Sequence, residues 1–440
     1  TGGNDTIRLV RDASVSGQLN VFINNVTSTP TYSATLAQMS QLAITDSAGN
    51  DTFVLDFTNG TPLPSGPITL TASTLGTNLL QVVGASTADS FGLTANSLTY
   101  GTDPAVTFSH IQTLSLATGT YIANADLNGL NLTANAGATI TLNATTHLGT
   151  AILNTGGKLQ LPISGSLGLI VDGLTINGGI LDLANNSLLV HNGVQSTLTT
   201  YLHSGYNGGA WNGASGILSS YAALPAHISQ GFGMLQGLLY NLLNPTQPVA
   251  GVTPADTDVV VKYTYLGDAS LNGSISADDF AQLDASFLKN QTNPRWVQGD
   301  FNYDNLIDAS DYAVINAAYA SQATHPLAAA TPALSAPLAA AITPTVTAAV
   351  TTAATPTVTP AATTSGAPAV TSLAVAPAVT IAPAYPLHSF RLPLTNFLAP
   401  LLAQEPVAAA TPTSESARLT IRAKPLRKPS WVITTSVGNL

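Results

Sequence analysis

The chain has 440 residues; 45% are apolar and only 8% are charged, against about a quarter in an average domain. Acidic residues outnumber basic ones 22 to 12, a net charge of −10, which excludes the basic footprint that nucleic-acid binding needs. With no cysteine, disulfides, thiolate metal sites and cysteine nucleophiles are excluded as well.

Thr1 is not an initiator methionine, so the chain reads as a processed form or a fragment. Residues 1–101 are predicted to form a β module. Ile7, Val10, Leu19, Val21 and Ile23, and later Phe53, Leu55 and Phe57, alternate loosely between corners of Gly, Asn, Asp and Ser. Two fragments there, Gly2-Gly3-Asn4-Asp5-Thr6-Ile7 and Ala48-Gly49-Asn50-Asp51-Thr52-Phe53, resemble half of the glycine-aspartate calcium nonapeptide. That repeat binds calcium when its copies stack in tandem, and these two are not adjacent in the chain. Two Asn-Asp turns opening strands are therefore expected, without a metal.

Residues 102–195 carry a recurring apolar-x-apolar pair: Leu114/Leu116, Leu130/Leu132, Ile140/Leu142, Leu159/Leu161, Leu174/Ile176 and Leu181/Leu183. Alternate residues point to one face of a strand, so each pair buries two side chains together. Short strands with Gly/Asn corners predict a parallel β-solenoid, or β-helix-like body, with a β-sandwich as the rival. The pairs recur at uneven intervals, which fixes no strict period.

Residues 196–255 are expected to cap the body or link it onward. The aromatic, Gly/Asn-rich stretch from Tyr201 to Gly213 reads either as a sugar-stacking loop or as the closure of an open β stack. A long helix is not expected over Ile217 to Leu243, which Pro225, Gly231, Gly233 and Gly237 interrupt. Val259, Val261, Tyr263 and Tyr265 alternate as a strand that runs into Gly267-Asp268. Beyond this segment, residues 321–386 are rich in Ala, Pro and Thr and predict a disordered, partly polyproline II linker. Residues 387–440 are a basic tail with Arg418, Arg422, Lys424, Arg427 and Lys428. No run of about 18 residues is free of proline and polar groups, so no transmembrane helix is expected.

The segment 256–320 carries the chemistry. Two twelve-residue stretches place oxygen-bearing residues at alternate positions, the pattern a hard cation such as Ca2+ needs for its six to eight oxygens. The first offers Asp268, Ser270, Asn272, the Ser274 carbonyl, Ser276 and Asp279. The second offers Asp300, Asn302, Asp304, the Leu306 carbonyl, Asp308 and Asp311. Position six needs a positive φ, which Gly273 supplies readily and Asn305 less so. Position eight is Ile275 or Ile307, which pins the loop to a core. One constant offset, the one that carries Asp268 onto Asp300, relates every counterpart, including Ser276 with Asp308 and Asp279 with Asp311. The same offset extends into the following helices, where Phe280, Leu283 and Phe287 match Tyr312, Ile315 and Tyr319 on one helical face.

This duplicated loop-then-helix resembles the type I dockerin over residues 267–320. The wider stretch from Leu181 to Ala320 resembles the C-terminal part of large secreted, autotransporter-like proteins of planctomycete-type bacteria, in which a β-solenoid precedes such a pair. The resemblance implies an EF-hand-like α pair, two Ca2+ sites, a secreted or cell-surface location, and a cohesin-like or other cell-surface partner. Cohesin recognition in that family uses loop positions ten and eleven. Here these are Ala277/Asp278 and Ala309/Ser310, not the Ser-Thr pair familiar in the family, so the resemblance carries the calcium loops further than the cohesin partner.

Two functions follow as expectations. The first is a non-catalytic structural or adhesion protein with a calcium-dependent interaction module, whose flat strand ladders could hold polysaccharide. The alternative is a dockerin-bearing, polysaccharide-degrading β-helix protein. Glycosidases need two carboxylates, and no Glu occurs before Glu405. Asp172 and Asp182 would have to face one groove. Arg8, Arg11 and Lys158 read as solvated charges, and His110, His147, His191, His203 and His227 show no metal spacing. Serine-nucleophile and phosphate-loop motifs are absent. More carboxylates raise calcium affinity, so the second loop is expected to fill first.

Overall fold

The computed structural model describes residues 3–24, 29–46, 48–289 and 291–327. The predicted linker lies outside the described residues from 328 onward, as does the whole basic tail at 387–440.

The described chain is mainly β, in one twelve-stranded and one ten-stranded sheet. Eight strands of the larger sheet run parallel side by side: Thr6–Arg11, Thr52–Asp56, Leu79–Val83, Thr113–Ala117, Leu130–Ala134, Thr146–Asn154, Gly168–Asn177 and Ser187–Val190. The smaller sheet holds a second parallel run: Ser90–Leu93, Gly119–Ala123, Ala138–Leu142, Lys158–Gln160, Ile180–Asp182 and Gly216–Leu218. From Thr113 to Leu218 successive strands alternate between the sheets, and each pairs with the strand two places on. A hairpin-built sandwich would be antiparallel, so these ladders do not match that rival.

The apolar pairs are the core of this arrangement. Register stacks Ile7, Phe53, Leu80, Leu114, Leu132 and Ala151 in one column, and Leu9, Leu55, Val82, Leu116, Ala134 and Leu153 in the next. All twelve are buried. In the facing sheet Phe91, Tyr121, Ile140, Leu159, Leu181 and Ile217 form a third buried column. Each fully buried aliphatic contributes about 1.5–3 kcal/mol relative to exposure, so the columns outweigh the polar corners between them. The irregular sequence spacing has a simple origin. The six pairs divide between the two sheets, and strands whose partners include small residues such as Ala151 are invisible to a search for large aliphatics. Within one sheet the steps are more even, 18 from Leu114 to Leu132, 19 to Ala151 and 23 to Leu174.

Polar side chains also stack. Asn177 donates to Asn154 (3.2 Å), Asn154 to Asn135 (2.9 Å) and Asn135 to Ser115 (3.0 Å), a ladder along one corner.

The far end is closed by helix α1 (Gln195–Tyr206) and by strands Gln230–Gln236 and Val259–Tyr265, which add antiparallel to the larger sheet. Helix α1 buries Leu198, Leu202 and Tyr206. Trp211 is fully buried and meets Tyr206 (5.3 Å) and Phe232 (5.4 Å) edge-on. Of the two sequence readings for this stretch, Trp211 follows the closure; it presents no face for a sugar. Gly231 and Gly233 make the closure work. A Cβ on Gly231 would lie 2.3 Å from the Trp211 ring, and one on Gly233 2.6 Å from the Trp296 ring. Helix α2 (Gly237–Leu243) is only two turns long, as the interrupting glycines predict. Strand Val259–Tyr265, assigned by sequence to the calcium-loop segment, is thus part of the large sheet, and the loops and helices that follow it are seated on that end.

Candidate metal centres

The two loops share one backbone design. Positive φ recurs at Leu271 and Gly273 and, at the matching positions of the second loop, at Tyr303 and Asn305. The closing carboxylates repeat their contacts. Asp279 Oδ1 accepts from Ala269 N and Asp311 Oδ1 from Phe301 N, both at 2.9 Å. Asp279 Oδ2 accepts from Ser276 N (2.8 Å), and Asp311 Oδ2 from Asp308 N (3.0 Å). Ser276 and Asp308 in turn cap the N-termini of α3 (Ala277–Phe287) and α4 (Ala309–Ser321). The helices pack as the matched faces predict. Phe280 meets Tyr319 and Phe287 meets Tyr312, each ring pair at 5.8 Å, with Leu283 and Ile315 fully buried.

The loops diverge at their first residue. Asp268 is buried and its oxygens accept from Asn272 N (3.1 Å), Ser270 Oγ (3.1 Å), Gly273 N (2.7 Å) and Thr264 Oγ1. Asp300 is equally buried. Its Oδ2 accepts from Asn305 N (3.2 Å), but its Oδ1 has no hydrogen-bond partner. Burial, and next Asp311, push Asp300 up to about 7; burial pushes Asp311 up to about 6. Burial raises Asp268 and Asp279 too.

Among the described residues no three of the loop carboxylates bring their oxygens within 4.8 Å of one another, and the other proposed ligands lie further out along the two loops. Ser270 and Ser276 are half-buried; Asn272 and Ser274 are exposed and bonded to each other, Ser274 N donating to Asn272 Oδ1 at 2.9 Å. In the second loop Asp304, Leu306 and Asp308 are exposed. Asn302 is half-buried and donates to Asp304 Oδ2 (2.9 Å) and Ser310 Oγ (2.8 Å). Ala277, Asp278, Ala309 and Ser310, at positions ten and eleven, are all exposed. Phe287, Leu288 and Tyr319 are exposed apolar residues on the helix pair.

The catalytic candidates do not converge. Asp172 is exposed in the larger sheet, whereas Asp182 is buried in the smaller one and paired with Lys158 Nζ at 3.1 Å. Lys158 and Arg8 are not merely solvated, since Arg8 pairs with Asp56 at 2.6 Å. A base beside a buried carboxylate offsets its desolvation, which gives both a structural task. His147 and His191 are likewise bonded to Asp126 (2.8 Å) and Asp258 (3.1 Å).

One convergence was not read from the sequence. The two Gly-Asn-Asp-Thr fragments lie on neighbouring parallel strands, with Thr6 opposite Thr52 and Ile7 opposite Phe53. The chain between them passes through the other sheet and returns. At the corner each side-chain oxygen accepts the backbone N–H of the layer before: Asp5 N to Asp51 (3.1 Å), Asp51 N to Asn78 (3.0 Å), Asn78 N to Gln112 (2.6 Å). The stacking demands glycine, because a Cβ on Gly49 would lie 2.1 Å from the Gly3 carbonyl oxygen. Asp46 joins the corner. Among the described residues, Asp5, Asp46 and Asp51 are the group of three carboxylates whose oxygens lie within 4.8 Å of one another.

The chain matches no protein-family model, no curated protein and no solved structure. Among the described residues no helix is long and apolar enough to cross a membrane.

Proposed function

We propose that this is a non-catalytic, secreted or cell-surface structural or adhesion protein, whose body is a parallel β-solenoid and whose end carries a dockerin-like, duplicated calcium-loop module. The observation that carries the module is the repetition of backbone φ, closing-carboxylate contacts and helix caps at matching positions of the two loops. Three features repeated together argue for two loops built for one task.

The donor set suits Ca2+. All candidate ligands are oxygens, and the buried Asp300 Oδ1 has no donor of its own. In the second loop Asp300, Asn302, Asp304, the Leu306 carbonyl, Asp308 and Asp311 would hold the ion, and the matching six would do so in the first. Bound calcium supplies positive charge that offsets the repulsion among clustered carboxylates. The chain's own residues set its consequence. Asp279 and Asp311 tie each loop to the first turn of its helix, so a filled loop fixes α3 or α4 and with it the exposed positions ten and eleven. That exposed face, with Phe287, Leu288 and Tyr319, is the surface we assign to a cohesin-like or other cell-surface protein partner.

The test is calcium titration calorimetry on the full chain and on Asp300→Ala and Asp279→Ala. Two loop sites, with a different one lost in each variant, support the reading. Unchanged calcium binding in both variants overturns it.

A further inference from the structure

We infer that Asp5, Asp46 and Asp51 form a further cation site, separate from the two loops, which takes a hard divalent ion of calcium's class and ties together the first layers of the parallel sheet.

Three observations carry it. The carboxylates are almost fully buried, at 2%, 5% and 1% exposure, in a chain where charge is scarce. Their oxygens lie within 4.8 Å of one another, about twice the calcium–oxygen distance, so a single ion can touch all three. Asp51 Oδ2 is buried and accepts no hydrogen bond, although Asp51 Oδ1 is used by Asp5 N. A buried acceptor left without a donor costs about 1–3 kcal/mol, more when charged, so the fold keeps it against a penalty that a cation would remove.

The surroundings favour a metal over an organic cation. The corner is closed by backbone, with Asn50 N donating to Asn4 (3.0 Å) and Thr77 N to Asn50 (2.8 Å). A Cβ on Gly76 would already collide with the Gly49 carbonyl oxygen at 2.1 Å. Three carboxylates and no nitrogen or sulfur ligand select calcium-like ions over zinc or copper.

The site unites Asp5 of one strand's approach with Asp46 and Asp51 of the next layer, so filling it would hold the amino-terminal layers in register. Its test uses the full chain. Calcium equivalents are counted by calorimetry for the unaltered protein, for Asp51→Asn and for Asp300→Asn. Asn keeps the Oδ1 acceptor for Asp5 N while removing the charge. The expected result is one equivalent fewer in Asp51→Asn, with that same equivalent retained in Asp300→Asn, whether or not the loops bind. An unchanged count in Asp51→Asn overturns the site and means that the carboxylates share a proton instead. Should Asp51→Asn fail to fold, crystals of the unaltered chain soaked in Mn2+ decide. An anomalous peak between the three carboxylates supports the site, and its absence overturns it.

Discussion

The two loops of the helical end share a backbone but differ in how their first carboxylate is held. In the first, four protein donors surround Asp268. In the second, Asp300 has one oxygen engaged and one bare. On the proposed calcium reading, a cation entering the first loop would compete with hydrogen bonds already made, whereas in the second it would meet an oxygen with nothing to lose. The two loops thus share one turn but hold their first carboxylate differently.

The largest expected effect tests the self-held loop. Asp268→Ala strands Gly273 N and Asn272 N, and should destabilise the calcium-free chain by about 3 kcal/mol in urea denaturation. Asp300→Asn should not destabilise it. Equal losses in the two variants would erase the distinction. Next, Asp300→Ala should weaken the second site by about 100-fold or more in calorimetry, since even outer-shell partners of a metal are worth about 10–100-fold, while leaving the first loop unchanged.

The third expectation concerns pH. Asp300 and Asp311 have folded values of about 7 and about 6, above the unfolded value of about 3.9. At these two groups the folded chain therefore binds more protons than the unfolded one between those limits. The stability that these two carboxyls contribute is fully present below about pH 4 and is lost as pH rises toward 7. Calcium should restore stability at pH 7 far more than at pH 5, and Asp300→Asn should flatten the calcium-free profile in urea titrations across that range. The smallest effect sits at position six. Asn305 holds φ +64 where its counterpart is Gly273, so Asn305→Gly should change stability by less than about 1 kcal/mol and leave calcium stoichiometry untouched.

What the sequence made legible was local. Leu114 and Leu116 announce a buried face from two positions apart, and the loops announce themselves within twelve. Longer-range facts were not legible. The corner of Asp5 and Asp51 depends on where the chain between them returns, which no local pattern encodes; the shared Gly-Asn-Asp-Thr was the available signal. Helix α1 left a trace as well, in Leu198, Leu202 and Tyr206 at steps of four, but the Gly/Asn run immediately after it drew the stretch toward a loop. Trp211 could be assigned only once Gly231 showed where the ring goes.

The placement of Trp296 has a practical consequence. Its indole nitrogen donates to the Asp268 carbonyl oxygen at 2.8 Å, and its ring stacks on Tyr303, in the second loop, at 5.5 Å. One buried chromophore therefore touches both loops, while Trp211 sits deeper in the same aromatic cluster. If the loops take calcium as proposed, ion entry at either would perturb its ultraviolet emission, an optical gauge of loop occupancy readable without any attached dye.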